Sequence, residues 1–183
     1  MKKATKTRLD QRASEDREVQ HTAFLSLLKE TDKPVEWSYE VWDEFVADLS
    51  HKNNRRRAIA AQLLCNLAKS DPQNKMVKTF PALLEVTRDE RFVTARHTIQ
   101  ALWKVGVAGK KQLKLLLEGT QLRFAECESE KNGTLIRYDL LQGLRNLYDQ
   151  LQDAKIKKLA LELIETETDA KYQKKYQMLW KSV

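Results

Sequence analysis

Few residues of this 183-residue chain have the type and spacing that catalysis or metal binding demands. The three histidines, His21, His51 and His97, stand far apart, and no zinc-ligand pattern includes them. His97 falls among core-edge positions and reads as a packed or hydrogen-bonded side chain. The two cysteines, Cys65 and Cys127, supply neither a disulfide framework nor metal spacing. Cys127 lies among Glu126, Glu128 and Glu130, a set able to hold a metal, but the segment reads better as a polar loop. Carboxylates there raise a thiol's pKa instead of lowering it. The run Arg55-Arg56-Arg57, with His51 and Lys52 before it, begins a helix, where the helix dipole disfavours cations. Arg55 and Arg56 are therefore candidates for contact with a phosphate or an acidic partner, set against the plainer reading of a solvated charge run. No glycine-rich phosphate loop, Ser/His/Asp set or paired-carboxylate signature is present. No catalytic residue, cofactor or metal site is assigned, and a non-enzymatic role is the expectation.

A different kind of pattern is stronger. Arg56–Leu67 (RRAIAAQLLCNL), Thr94–Val105 (TARHTIQALWKV) and Ile136–Leu147 (IRYDLLQGLRNL) align without gaps. They recur at about the 40–47-residue period of helical-hairpin repeats. The ninth residue of each is leucine: Leu64, Leu102 and Leu144. With the fifth, eighth and twelfth positions these leucines form one buried helical stripe. The seventh residue of each copy is glutamine: Gln62, Gln100 and Gln142. Around these lie Asn66, Lys104 and Asn146 at the eleventh position, Arg96 and Tyr138 at the third, and Trp103 and Arg145 at the tenth. Those positions share the helix face turned from part of the stripe. Stacked side by side, they make an amide ladder flanked by cations and rings, able to hydrogen-bond an extended peptide or a nucleic-acid backbone. The plainer alternative is a solvated polar face that repeats because the fold repeats.

Here the chain resembles the HEAT-repeat family, whose second helix commonly reads V-R-x-x-A-x-x-A-L-x-x-I. Ile136-Arg137 fits the opening, Arg57 fills the arginine position and Ala101-Leu102 fits the later pair. The middle copy departs, with Ala95 at the arginine position and Arg96 one place on. The resemblance implies an all-α fold, a right-handed α-α superhelix built as a HEAT-like, armadillo-like solenoid of about four helix pairs. It implies that the second helices line a concave binding surface. It also implies that Arg57 and Arg137 serve the fold, pairing with an aspartate or carbonyl of a neighbouring repeat, with ligand contact as the alternative. Some HEAT-like proteins act as DNA glycosylases for alkylated purines, using concave-face tryptophans and an acidic residue. Trp42-Asp43 and Trp103 are the candidates for that role here, although Trp42 fits better as a core residue and those enzymes have more repeats.

The remaining elements follow from local signals. Met1–Asp16 alternates in charge and reads either as frayed or as the polar start of a first helix, so residues 1–17 are set apart from a single helical-repeat domain over 18–183. Glu18–Glu30 is amphipathic and caps the stack. Pro34 marks a loop, after which Ser38 caps a helix over Tyr39–Ser50 with Trp42 and Phe45 inward. Asn54–Lys69 completes the first clear pair. Ser70-Asp71-Pro72 opens a second pair, Gln73–Val86 and Arg91–Val105, with Pro81 expected to kink its first member. Gly106 and Gly109 bracket the link to Lys110–Glu126 and Thr134–Leu151, themselves joined by a polar turn ending in Asn132-Gly133. Ala154–Glu165 and Asp169–Trp180 close the end, where Tyr172, Tyr176 and Trp180 form a core or capping stripe.

A formal charge of +7 and a pI near 9.3 leave an acidic partner open, but 33 basic residues against 26 acidic ones make a mixed surface. The lysines at the N-terminus precede no apolar segment, and no run reaches the ~20 apolar residues of a membrane span. The expectation is a soluble, cytoplasmic scaffold that binds a protein or peptide on its concave face, without a membrane partner. The alternative is nucleic-acid binding by the same face, including the alkylation-repair type.

Overall fold

Leu64, Leu102 and Leu144 are 0, 1 and 2% exposed, and the helices that carry them lie flank to flank. This arrangement comes from a computed structural model that describes residues 1–181 and is helical throughout, without strands among those residues. The helices are α1 (Lys3–Gln11), α2 (Arg17–Glu30), α3 (Ser38–Asp48), α4 (Asn54–Leu67) and α5 (Lys75–Val86), then α6 (Phe92–Val107), α7 (Lys110–Glu126), α8 (Gly133–Leu151), α9 (Ala154–Glu165) and α10 (Ala170–Trp180). Short 3-10 turns at Ala68–Ser70 and Cys127–Ser129 follow α4 and α7.

Consecutive helices pair as hairpins. The second helices pack in the order α2, α4, α6, α8, α10, while α5, α7 and α9 pack in the other layer. Each helix is apolar on one stripe and must bury that stripe against a neighbour. α6 carries two such faces, one against α4 and one against α8, which places Ile99, Leu102 and Val105 at the centre of one continuous core. Gly106, expected in the link after this helix, lies inside it and is buried. A Cβ there would stand 2.7 Å from a Leu116 methyl and 3.0 Å from a Leu147 methyl, so the missing side chain allows three helices to meet.

Side-chain caps set the helix starts. Asp16 accepts from the backbone N–H groups of Glu18 and Val19, and Asp169 from those of Lys171 and Tyr172. Asn53 and Asp153 do the same with one N–H each. Two cap expectations come out differently. Ser38 is buried inside α3, and its hydroxyl donates to the Ser70 carbonyl at 2.7 Å, so it ties the start of α3 to the turn after α4 instead of capping. Asp71 does accept from the Lys75 and Met76 N–H groups (2.9 and 2.7 Å), but Pro72 sits in the turn before the helix. Asn74, in the left-handed region at φ 57°, sets the true start of α5. Pro81 stays within α5 on its exposed side.

The polar N-terminal segment contains a complete helix, α1, paired with α2. Its anchor is Arg12, only 2% exposed, whose guanidinium bonds to Asp48 (3.1 Å) and Glu44 and lies 4.6 Å from the Phe45 ring centroid. Paired carboxylates compensate for burying that charge. Thr5 and Arg8 bond to Glu30 in addition.

Candidate functional site

The glutamines at the seventh repeat position lie on consecutive second helices, outside the core, and each is already bonded within the molecule. Gln62 donates to the Ala58 carbonyl of its own helix (3.0 Å), Gln100 to Asp139 (3.3 Å) and Gln142 to Asn146 (2.9 Å). Gln100 is exposed, and Gln62, Gln142 and Asn146 are half-buried.

The cations expected to flank them are mostly engaged. Arg96 meets the buried Asp139 carboxylate at 2.6 and 3.3 Å, and that hydrogen bond holds its pKa above the ordinary arginine value. Arg145 bonds to Asp149 and the Leu179 carbonyl, both at 2.9 Å, with its guanidinium 5.9 Å from the Trp180 ring centroid. Lys104 donates to Asn66 at 2.7 Å. Asn66 itself is fully buried, donating to the Leu28 carbonyl and the Thr31 hydroxyl, and so departs from the expected binding surface. The physical reason is that α2 packs over α4 at this position and closes it off. Tyr138 is half-buried against Tyr176, with the Lys175 ammonium 4.7 Å from its ring centroid. Trp103 is half-buried where α6 crosses Gly143 of α8.

The basic run divides by role. Arg56 bonds to Asp48 at 2.5 Å and approaches the His51 ring. Arg57 clamps Asp89 through two nitrogens (2.5 and 2.9 Å) and donates to the His51 carbonyl. Asp89 is pushed up by burial, but the Arg57 hydrogen bonds, the Arg91 N–H and both arginine charges outweigh this and hold it below its usual value. Arg137 bonds to the Phe124 carbonyl (3.1 Å) and the buried Glu167 (3.0 Å). Where the middle copy lacks this arginine, Arg123 of α7 fills the space. It bonds to the Thr87 carbonyl and to Glu130 at 2.6 and 2.9 Å. Acidic residues at the hairpin bends, Asp48, Asp89, Glu130 and Glu167, thus each hold an arginine, so these charges serve the fold.

Arg55 differs. It is exposed, and among the described residues its guanidinium has no partner. It lines a groove of about 530 Å³ between α2, α4 and α6, together with Arg17, His21, Phe24, Gln62 and His97. His97, expected at the core edge, is exposed. His21 and His97, remote in the chain, therefore line a common groove. No local signal links them, since their proximity depends on α2 and α6 both packing on α4.

Trp42 is 1% exposed and donates its indole N–H to Thr79 (3.0 Å), whereas Asp43 is in solvent beside Lys75. Cys65 is fully buried, and burial pushes its thiol up to about 12, with Lys104 pulling the other way. Cys127 is buried and its thiol is raised for the same first cause. Neither is poised as a nucleophile. Among the described residues no group of three His, Cys, Asp or Glu side chains is placed to hold a metal ion, and no helix is long and apolar enough to cross a membrane. No protein-family model and no curated protein matches this chain.

Proposed function

We propose that this chain is a HEAT-like solenoid acting as a non-enzymatic scaffold, which binds an extended segment of a protein partner along the concave side of its second helices. The observation carrying this reading is the electrostatic character of that side. Arg96 and Arg145 are paired with Asp139 and Asp149, and Lys104 donates to Asn66 with the Asp32 carboxylate 3.9 Å away, leaving a mixed strip of amides, rings and paired charge instead of a positive band. Such a strip suits a polypeptide, whose backbone takes amide hydrogen bonds, better than a polyanion, whose affinity grows with uncompensated cations. The formal surplus of +7 supports the nucleic-acid alternative, and lysines such as Lys171 and Lys174 contribute to it from the exposed side of α10.

A photo-crosslinking residue at Gln100, compared with one at the exposed Glu118 of α7, tests the reading. In lysate of the source cells, protein adducts form at Gln100 and not at Glu118. Adducts only at Glu118 contradict the scaffold face. Mobility shift of a DNA or RNA duplex that weakens steeply with salt assigns the face to nucleic acid.

A further inference from the structure

The groove between α2, α4 and α6 holds charge the fold does not use. Arg17 begins α2 and Arg55 stands in the first turn of α4, next to helix N-termini whose partial positive charge disfavours a cation. Neither guanidinium has an ion pair or hydrogen bond among the described residues, nor do the rings of His21 and His97. Every other arginine of the hairpin bends is neutralised by an acid, so the lack of a partner here is local. The floor is apolar, formed by Phe24, Ala58 and Ile59.

We propose that this groove is a docking site for an acidic peptide, taking a glutamate or aspartate side chain on Arg55 with an adjoining apolar side chain on the Phe24–Ile59 floor. This proposal rests on the scaffold reading and names the chemistry of its partner. Charge balance selects a carboxylate. Glu18 shares the groove and offsets one of the two arginines, so the surplus is a single positive charge, matched by one carboxylate. Guanidinium pairs with carboxylate through two parallel N–H···O bonds, and the imidazole N–H groups of His21 and His97 add donors at the margin. A polyanion finds no continuation, because Arg96 and Lys104 of α6 and Arg145 of the adjoining α8 are bonded to Asp139, Asn66 and Asp149. The floor supplies the apolar burial that raises affinity above that of an exposed ion pair.

The three histidines make a direct readout. His51 lies outside the groove, its Nδ1 accepting from the Asn53 N–H at 3.0 Å, and serves as the internal reference. A short peptide of glutamates and leucines interspersed with glycine is titrated into the full chain while the imidazole NMR signals are followed. The His21 and His97 signals move together and His51 stays in place. Arg55→Ala weakens binding about tenfold or more, while Arg55→Lys retains part of it. Arg55 is exposed and unpartnered, and unchanged circular dichroism verifies that both variants fold. The matching glutamine peptide leaves the signals unmoved. The proposal is overturned if no histidine or all three respond, or if Arg55→Ala binds as well as wild type. It is also overturned if a phosphoserine peptide or single-stranded DNA binds this groove more tightly than the glutamate peptide. Crosslinks at Gln100 without histidine shifts remove this site and leave the scaffold reading standing.

Discussion

Replacing Leu102 with alanine probes the shared interior at its midpoint. Leu102 is 1% exposed on α6, between α4 and α8, so the substitution removes buried carbons whose transfer is worth about 0.8 kcal/mol per methylene. A cavity term adds to this, because neighbours on both sides are held by their own packing. The total is about 3 kcal/mol, inside the range of about 2–5 kcal/mol for buried leucine truncation. For a chain of this size each kcal/mol lowers Tm by about 2–4 °C, giving a drop of about 6–12 °C. Leu64→Ala and Leu144→Ala remove side chains of equal burial from the flanking helices and show losses of similar size. Leu122, half exposed on α7, is the control, and its truncation stays within about 0.5 kcal/mol. Urea denaturation followed by circular dichroism gives all four values. A loss below about 1 kcal/mol at Leu102 refutes the continuous core, because a leucine at the junction of three helices cannot be removed so cheaply.

Three further outcomes follow from the charged and tight contacts. Arg137→Gln leaves the Glu167 carboxylate, 3% exposed, without its counter-charge and destabilises by about 3–5 kcal/mol. Adding Glu167→Gln recovers part of that loss in the same denaturation assay. Asp89→Asn costs about 1.5–3 kcal/mol at neutral pH by weakening the Arg57 clamp. The folded Asp89 pKa lies below its unfolded value, so this contribution is present above about pH 4 and is lost as pH falls through the folded pKa. Wild type and Asp89→Asn therefore converge in stability under acid. Gly106→Ala forces a methyl against Leu116 and Leu147 and lowers stability by about 1–3 kcal/mol, although alanine is the better helix former.

The parts of this molecule legible in its sequence are those governed by local periodicity. The stripe of Leu64, Leu102 and Leu144 gave the buried faces, and the starts read at Asn54 and Ala154 agree with those of α4 and α9. Polar side chains resisted, because their roles depend on partners on other hairpins. Asn66 shares its repeat position with Asn146, yet only Asn66 is covered by α2 and becomes a buried link to Thr31 and Lys104. Arg12 and Arg123 look like surface cations and are among the most deeply buried side chains, because an acid remote from Arg12 and a backbone carbonyl remote from Arg123 meet them. Arg57 and Arg137 were readable as structural only through the family resemblance, and their acids, Asp89 and Glu167, had no local signature. The groove of Arg55, His21 and His97 was invisible for the same reason: its three sides come from three hairpins.

The side-by-side placement of the second helices is tested most directly by a covalent link between α6 and α8. A Cβ at position 143 lies 3.7 Å from the Trp103 Cβ, within the span of about 3.5–4.5 Å that a disulfide bridges. The paired variant Trp103→Cys, Gly143→Cys is oxidised mildly, unfolded and titrated for free thiols. An intramolecular disulfide forms if α6 and α8 lie side by side, leaving only the two native thiols, Cys65 and Cys127, to react. Introduced thiols that stay free, or that join separate molecules instead, contradict that placement.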